Sequence, residues 1–213
     1  MDAYSLRPQI SEYIGSIKNY FDKIPSPRKK ELKKIARFIS DKIDRGHPVY
    51  LMFICTHNSR RSHMSQIWAQ SAAIYYQLPM VTCFSGGTEA TAFNPRAVRA
   101  MRKAGFDIHK FTEGKNPVYE VTYAPGVKPL RVFSKKYTDA FNPQKDFCAL
   151  MTCSDADEAC PIVIGAEERI SIPYEDPKIA DGADDEEEKY DERNRQIAVE
   201  MFYIFGQVRG FKK

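Results

Sequence analysis

Residues 49–66, VYLMFICTHNSRRSHMSQ, constrain this chain more than any other stretch. The six apolar residues 49–54, with β-branched and aromatic members, have the pattern of a strand covered on both faces of a parallel sheet. Cys55 ends that strand. Beyond it Met64, Ile67, Ser71, Ile74 and Leu78 recur at helical spacing, so the turn over 55–62 opens directly into a helix. The free N–H groups and the dipole of a helix start attract anions, and Arg61 adds a forked cation that suits a tetrahedral oxyanion. The same field favours a thiolate, which makes Cys55 a candidate nucleophile. A buried, inert cysteine beside an incidental arginine is the alternative reading of the same residues.

Five residues separate Cys55 from Arg61, Ser62 follows at once, and Asn58 lies between them. With this CX5R spacing the stretch resembles the signature loop of the low-molecular-weight protein tyrosine phosphatase superfamily. The segments SGGTEA at 85–90 and NPRAVRAMRKAGFDI at 94–108 extend the resemblance. It implies that Cys55 forms a covalent phospho- or arseno-enzyme and that Thr56, His57, Asn58, Ser59, Arg60, Arg61 and Ser62 surround the oxyanion. The family usually has glycine where this chain has His57, so a positive φ at that position would strain the backbone.

Before the loop, two apolar stripes read as helices. Ile10, Tyr13, Ile14, Ile17, Tyr20, Phe21 and Ile24 form the first; after Pro25, with Ser26 as N-cap and Pro27 at N1, Leu32, Ile35, Ala36, Ile39 and Ile43 form the second. Residues 1–46 are therefore an N-terminal helical extension to a catalytic unit at 47–213. The stripes either pack on that unit or offer a face for a dimer or another partner. After the loop, residues 80–84 read as a second strand, and Asn94 caps a helix that has Pro95 at N1 and ends at Gly105. Successive strand–helix units imply parallel strands with right-handed crossovers. The expected fold is a three-layer α/β/α sandwich on a four-stranded parallel sheet. An insertion at 113–145 carries a β-hairpin, 118–123 and 130–133, around Pro125-Gly126. Its Lys115, Lys128, Arg131, Lys135 and Lys136 form either a solvated basic face or a rim that gathers anions.

Residues 147–151 read as the third strand and lead to Cys153 and Cys160, six residues apart. Zinc ligands, a redox pair and coincidence are the three readings. Zinc needs four ligands in close pairs, which the neighbourhood does not supply, and neither a metal nor an organic cofactor is called for. Nucleophile, C-x6-C and acidic linker together resemble the thioredoxin-coupled arsenate reductases, a branch of the same superfamily. That resemblance implies a linker helix that unwinds, Cys153 and Cys160 as resolving thiols, and a thioredoxin-like reductant as partner. A fourth strand, 169–172, precedes Asp176-Pro177, which matches the family's general acid; an acidic turn is the plainer reading. Tyrosines follow that Asp-Pro in eukaryotic phosphatases of the family, whereas Lys178 and Ile179 follow it here. Ile197, Met201, Phe205 and Val208 mark a closing helix.

Composition bounds the remaining options. A chain of 213 residues, 43% hydrophobic, buries one full core with additions. Five cysteines, an odd number with two inside apolar runs, suit free thiols in a cytoplasmic protein rather than a secreted disulfide scaffold. No apolar run of membrane-spanning length occurs and the first 20 residues lack a signal-peptide core. A net charge of +4 from 32 basic and 28 acidic residues gives no argument for nucleic acid. The leading expectation is an arsenate reductase with a Cys55, Cys153, Cys160 relay. A phosphatase acting on phosphotyrosine or small phosphomonoesters is the second, and an oxyanion-binding regulatory module the third.

Overall fold

The structure, a computed structural model, describes residues 5–208, so the outermost residues of the two expected units, 1–4 and 209–213, lie outside it. Two helices come first, α1 (Pro8–Ile17) and α2 (Ser26–Asp44), joined through a 3-10 turn at Lys18–Tyr20. The central sheet contains β1 (Val49–Cys55), β2 (Val81–Gly87), β6 (Phe147–Met151) and β7 (Ala166–Ser171) in the order β2-β1-β6-β7, every pairing parallel. Between them run α3 (Arg61–Tyr75), α4 (Pro95–Lys103), the short strands β3 (Asp107–Lys110), β4 (Tyr119–Thr122) and β5 (Leu130–Val132), α5 (Ser154–Ala159) and finally α6 (Glu186–Val208).

The two sheet faces are covered unequally. On one face Val49, Leu51, Phe53, Cys148 and Leu150 join the large core, to which α1, α2, α3, α4 and α6 all contribute. On the other, Met52, Ile54, Ala149 and Met151 meet only a small cluster beneath α5 and the loop carrying Tyr137. Alternation along β1 sends successive side chains to opposite faces, and burial on both explains the unbroken apolar run.

The two N-terminal stripes are buried within this chain. Ile10, Ile14, Ile17, Leu32, Ile35 and Ile39 are all at most 1% exposed in the large core, with α1 and α2 lying against α6. Each large aliphatic side chain removed from water contributes about 1.5–3 kcal/mol to this docking. The apolar surface that suggested a partner face is thus already used. The start of α2 differs from expectation by one residue: Ser26 is inside the helix and Pro25 is the N-cap, without a side-chain cap bond. Asn94 does cap α4, its side chain accepting from the Arg96 N–H at 2.9 Å.

The hairpin of the insertion becomes a three-stranded antiparallel sheet, β3-β4-β5, because residues 107–110, which precede the insertion and alternate only weakly, pair with β4. After β5 the chain runs along the end of β2. Gly87 N–H donates to the Lys135 carbonyl and Tyr137 N–H donates to the Gly87 carbonyl, both at 2.9 Å.

Candidate active site

Cys55 is the last residue of β1, and Cys153 and Asp176 follow the neighbouring strands β6 and β7 at the same, C-terminal edge of the sheet. Parallel α/β sheets assemble their sites at that edge. The loop from Cys55 to Arg60 then passes into α3.

The backbone of the loop is held from outside. Thr88 N–H donates to the Cys55 carbonyl at 3.2 Å, Glu89 N–H to that of Thr56 at 2.8 Å, Asn94 N–H to that of Ser59 at 2.9 Å and Met64 N–H to that of Arg60 at 3.0 Å. The His57 carbonyl accepts the hydroxyls of Ser134 at 2.9 Å and Thr91 at 3.2 Å. Planar trans peptides place each following N–H opposite its carbonyl, so these N–H groups point away from the groups that hold the carbonyls. The N-cap residue Arg60 makes no side-chain cap bond to α3, so its side chain leaves the N–H groups of the first turn open to an anion.

Two backbone features make this curvature affordable. Asn58 takes φ 43°, in the left-handed region, where asparagine is tolerated better than most residues. The expected strain therefore falls on Asn58, and His57 keeps an ordinary φ. Gly87 lies so close that a Cβ on it would meet the Glu89 carbonyl oxygen at 2.3 Å, the Thr56 carbonyl oxygen at 2.6 Å and the Asn58 nitrogen at 2.7 Å. All three are backbone atoms, so only glycine admits the loop beside β2.

Inside the loop, Cys55 Sγ lies 3.1 Å from Ser62 Oγ, and Asn58 Nδ2 donates to that same hydroxyl oxygen at 2.9 Å. With its oxygen engaged by Asn58, the Ser62 hydroxyl has its proton free for the Cys55 sulfur. Asn58 Oδ1 in turn accepts the Lys135 N–H at 2.9 Å, so the insertion buttresses the loop. Lys135 itself is buried, and burial pulls its ammonium down to about 8. Lys115, Lys128 and Lys136 are exposed, whereas Arg131 stacks on Phe111 and pairs with Glu120. His63, the third residue of α3, is fully buried and is pushed down to about 3, first by burial and then by the Lys135 charge.

The two loop arginines converge on one carboxylate. Arg60 grips Asp176 with Nε at 2.7 Å and Nη2 at 3.0 Å, and Arg61 reaches Asp176 Oδ2 at 2.8 Å. Burial works against the Asp176 carboxylate, but the Arg60 hydrogen bonds and the Arg61 and Arg60 charges outweigh it and hold its pKa below the usual range. The second Arg61 contact is to the Tyr174 carbonyl, at 2.9 Å.

The second thiol is close by. Cys153 is fully buried at the start of α5, its sulfur 3.5 Å from the hydroxyl of Thr56 and 3.4 Å from the Ala156 N–H. Cys160 is partly exposed at the far end of α5. Arg169 staples that end to β7, donating to the Cys160 carbonyl at 2.9 Å and the Asp157 carbonyl at 2.6 Å. Cys83 and Cys148 are in the core, and burial pushes both thiols well up. The site thus unites Cys55, Arg60, Arg61, Ser62, Asn58, Cys153 and Asp176, with Cys160 one helix away. Sequence reasoning missed Ser134 and the bracing of the loop by Lys135 and Gly87; the Gly86-Gly87 pair at a strand end is the available signal of close backbone approach.

No protein-family model matches the chain. Over 128 residues, 60% of this chain and 77% of the relative, it is 30% identical to "Arsenate reductase 2" of Staphylococcus epidermidis. The chain belongs to the arsenate reductase family. An arsenate reductase of Bacillus licheniformis is 28% identical over 160 residues, 74% of this chain and 94% of the relative. Among solved structures, a low-molecular-weight phosphotyrosine phosphatase of Vibrio cholerae O395 (TM-score 0.52, 12% identity) covers 76% of this chain and 97% of its own. A YwlE mutant from Bacillus subtilis has TM-score 0.52 at 16% identity, covering 76% and 99%. These likenesses show the fold of the low-molecular-weight phosphatase superfamily, in which arsenate reductases and cysteine-dependent phosphatases are the enzyme types at issue. Among the described residues no helix is long and apolar enough to cross a membrane.

Proposed function

We propose that this arsenate reductase family member reduces arsenate by a cysteine relay. The observation that carries the reading is a second buried thiol, Cys153, hydrogen-bonded to the hydroxyl of the residue next to Cys55. Hydrolysis of a phosphate ester has no use for it; reduction requires it.

In the first step the Cys55 thiolate attacks arsenic(V), and an S–As bond forms as an As–O bond breaks. The oxygen leaves as water. Arsenate near neutral pH arrives already protonated, and Asp176, displaced from Arg61 by the incoming oxyanion, relays a proton to the leaving oxygen. Arg61 and the loop N–H groups hold the remaining oxygens, while Ser62 and Asn58 orient the sulfur. In the second step the Cys153 thiolate attacks Cys55 Sγ. The S–As electron pair passes to arsenic, which leaves as arsenic(III), and two thiols have supplied two electrons by forming the Cys55–Cys153 disulfide.

Cys160 then attacks Cys153 and frees Cys55. Seven residues of rise along α5 separate Cys153 from Cys160 by roughly 10 Å, beyond the roughly 7 Å between Cα atoms that a disulfide spans. The helix must therefore unwind and release its Arg169 staple before that bond closes. An external dithiol of thioredoxin type restores the Cys153–Cys160 pair.

A phosphatase reading shares Cys55, Arg61 and Asp176 but replaces Cys153 by water. The discriminating experiment compares multiple-turnover arsenate reduction with hydrolysis of a small aryl phosphate in Cys153→Ser and Cys160→Ser. The relay predicts that reduction stops in both variants while any hydrolysis persists. Reduction at wild-type rate in either variant would contradict it.

A further inference from the structure

Arg61 is held by a carbonyl, and that carbonyl belongs to a residue held in turn from the other end of the chain. Tyr174 presents its carbonyl to Arg61 Nη1 at 2.9 Å, which fixes one edge of the guanidinium plane. Tyr174 is itself only 3% exposed, and its hydroxyl donates to Glu200 Oε2 of α6 at 2.7 Å. Glu200, also 3% exposed, is gripped by Arg28 through Nε at 3.0 and 3.1 Å and Nη2 at 2.8 Å. Arg28 lies in the first turn of α2 in the N-terminal extension. The same guanidinium donates to the Ile172 carbonyl at 3.2 Å and stacks on the Tyr174 ring at 4.9 Å from its centre. One extension residue thus touches the Asp176 loop at a carbonyl, at a ring and, through Glu200, at a hydroxyl.

We infer that Arg28 is a positioning residue for the oxyanion site, acting through Glu200 and Tyr174 on the guanidinium of Arg61. This rests on the reading that Arg61 binds the oxyanion. Bidentate arginine–oxyanion contacts need a fixed plane, and an error of about 1 Å in a binding group costs up to about a hundredfold. Among the described residues the Tyr174 backbone has one other hydrogen bond, its N–H to the Thr152 carbonyl at 3.1 Å. Without the hydroxyl and ring contacts the residue can pivot about that bond and carry its carbonyl away from Arg61. A buried carboxylate is a costly way to fasten a helix, since an apolar pair would dock α2 as well. Its use here fits a need for directional fixing of the loop more than a need for adhesion. The extension becomes part of the catalytic apparatus rather than a covering for the sheet.

The test is titration of the full-length chain with inorganic phosphate as the probe, at a temperature where circular dichroism shows every variant folded. Arg28→Gln and Tyr174→Phe are each expected to weaken phosphate binding about tenfold and to raise KM for arsenate more than they lower kcat. Arg28→Lys should recover part of the loss, because it keeps the charge on Glu200. The double variant Arg28→Gln/Tyr174→Phe should be no weaker than the worse single, as expected for two links of one path. Leu32→Ala is the control: it opens a cavity in the same helix, fully buried but outside the path, and should lower the melting temperature while leaving phosphate affinity alone. Affinities within twofold of wild type for both Arg28→Gln and Tyr174→Phe, or an equal loss in Leu32→Ala, would overturn the inference. Arg61→Lys in the same titration separates the two levels. If it binds phosphate like wild type, the oxyanion reading falls and takes the path with it; if it fails while Arg28→Gln and Tyr174→Phe bind normally, the path alone is refuted.

Discussion

Asn58 joins three jobs in one fully buried side chain, so its replacement has an effect that can be worked out in parts. Asn58→Ala removes the donor to Ser62 Oγ and leaves the Lys135 N–H without its 2.9 Å acceptor. A buried polar group stripped of its partner costs about 1–3 kcal/mol. Alanine at φ 43° adds about 1–2 kcal/mol that glycine does not incur, offset by the roughly 0.5–1 kcal/mol that glycine loses to backbone freedom. Asn58→Ala should therefore destabilise by about 2–5 kcal/mol in all. Asn58→Gly should be milder by up to about 1.5 kcal/mol. At about 2–4 °C per kcal/mol for a chain of this size, the alanine variant melts roughly 4–20 °C lower. Both variants should lose turnover about equally, since both leave Ser62 free to turn from Cys55. Thermal melts with initial rates on arsenate check this. An alanine variant more stable than the glycine one would refute the strain argument, and wild-type turnover in either would refute the role given to the Asn58–Ser62 pair.

Three further outcomes follow from the same geometry. Cys55→Ser should abolish both arsenate reduction and any phosphate-ester hydrolysis, because a serine hydroxyl is not a thiolate at neutral pH; turnover above about a tenth of wild type would reassign the nucleophile. Arg61→Lys should cost at least tenfold in kcat/KM, since a point charge replaces a forked donor, and unchanged kinetics would place the oxyanion elsewhere. His63 has a folded pKa of about 3 against an ordinary 6.5, so the unfolded chain binds the extra proton between those values. Stability from this group is complete above about pH 6.5 and is lost as pH falls toward 3, at up to about 1.4 kcal/mol per pH unit. Denaturant titrations at pH 7 and pH 5 should show a smaller drop in His63→Gln than in wild type; equal drops would show that His63 is not the titrating group.

The chain displays its first strand and its candidate nucleophile openly because the signals for both are local. An apolar strand, a cysteine and a helix start adjoin in sequence, and Cys55, Asn58, Arg61 and Ser62 lie within eight positions of one another. Ranges were legible to within a few residues for β1 and β6, while β2 runs on through Gly87 because its end pairs with residues 135–137, far along the chain. β3 escaped because residues 107–110 alternate only weakly and owe their extended form to the β4 edge. Arg60 looked like one more lining residue of the oxyanion loop, since spacing cannot show that its guanidinium turns to Asp176. Nor can spacing show which cation of the basic insertion is buried. Lys135 differs from exposed Lys136 only in which side of the β2 edge it meets. The N-terminal stripes revealed helices but not their target, because an apolar stripe specifies burial and not the surface that supplies it.

The relay is tested most directly by a peptide map of the Cys160→Ser variant after anaerobic treatment with arsenate and no reductant. The account predicts one arsenite per chain and a trapped disulfide between Cys55 and Cys153. Cys55 still reduced, or paired instead with Cys83 or Cys148, would contradict it.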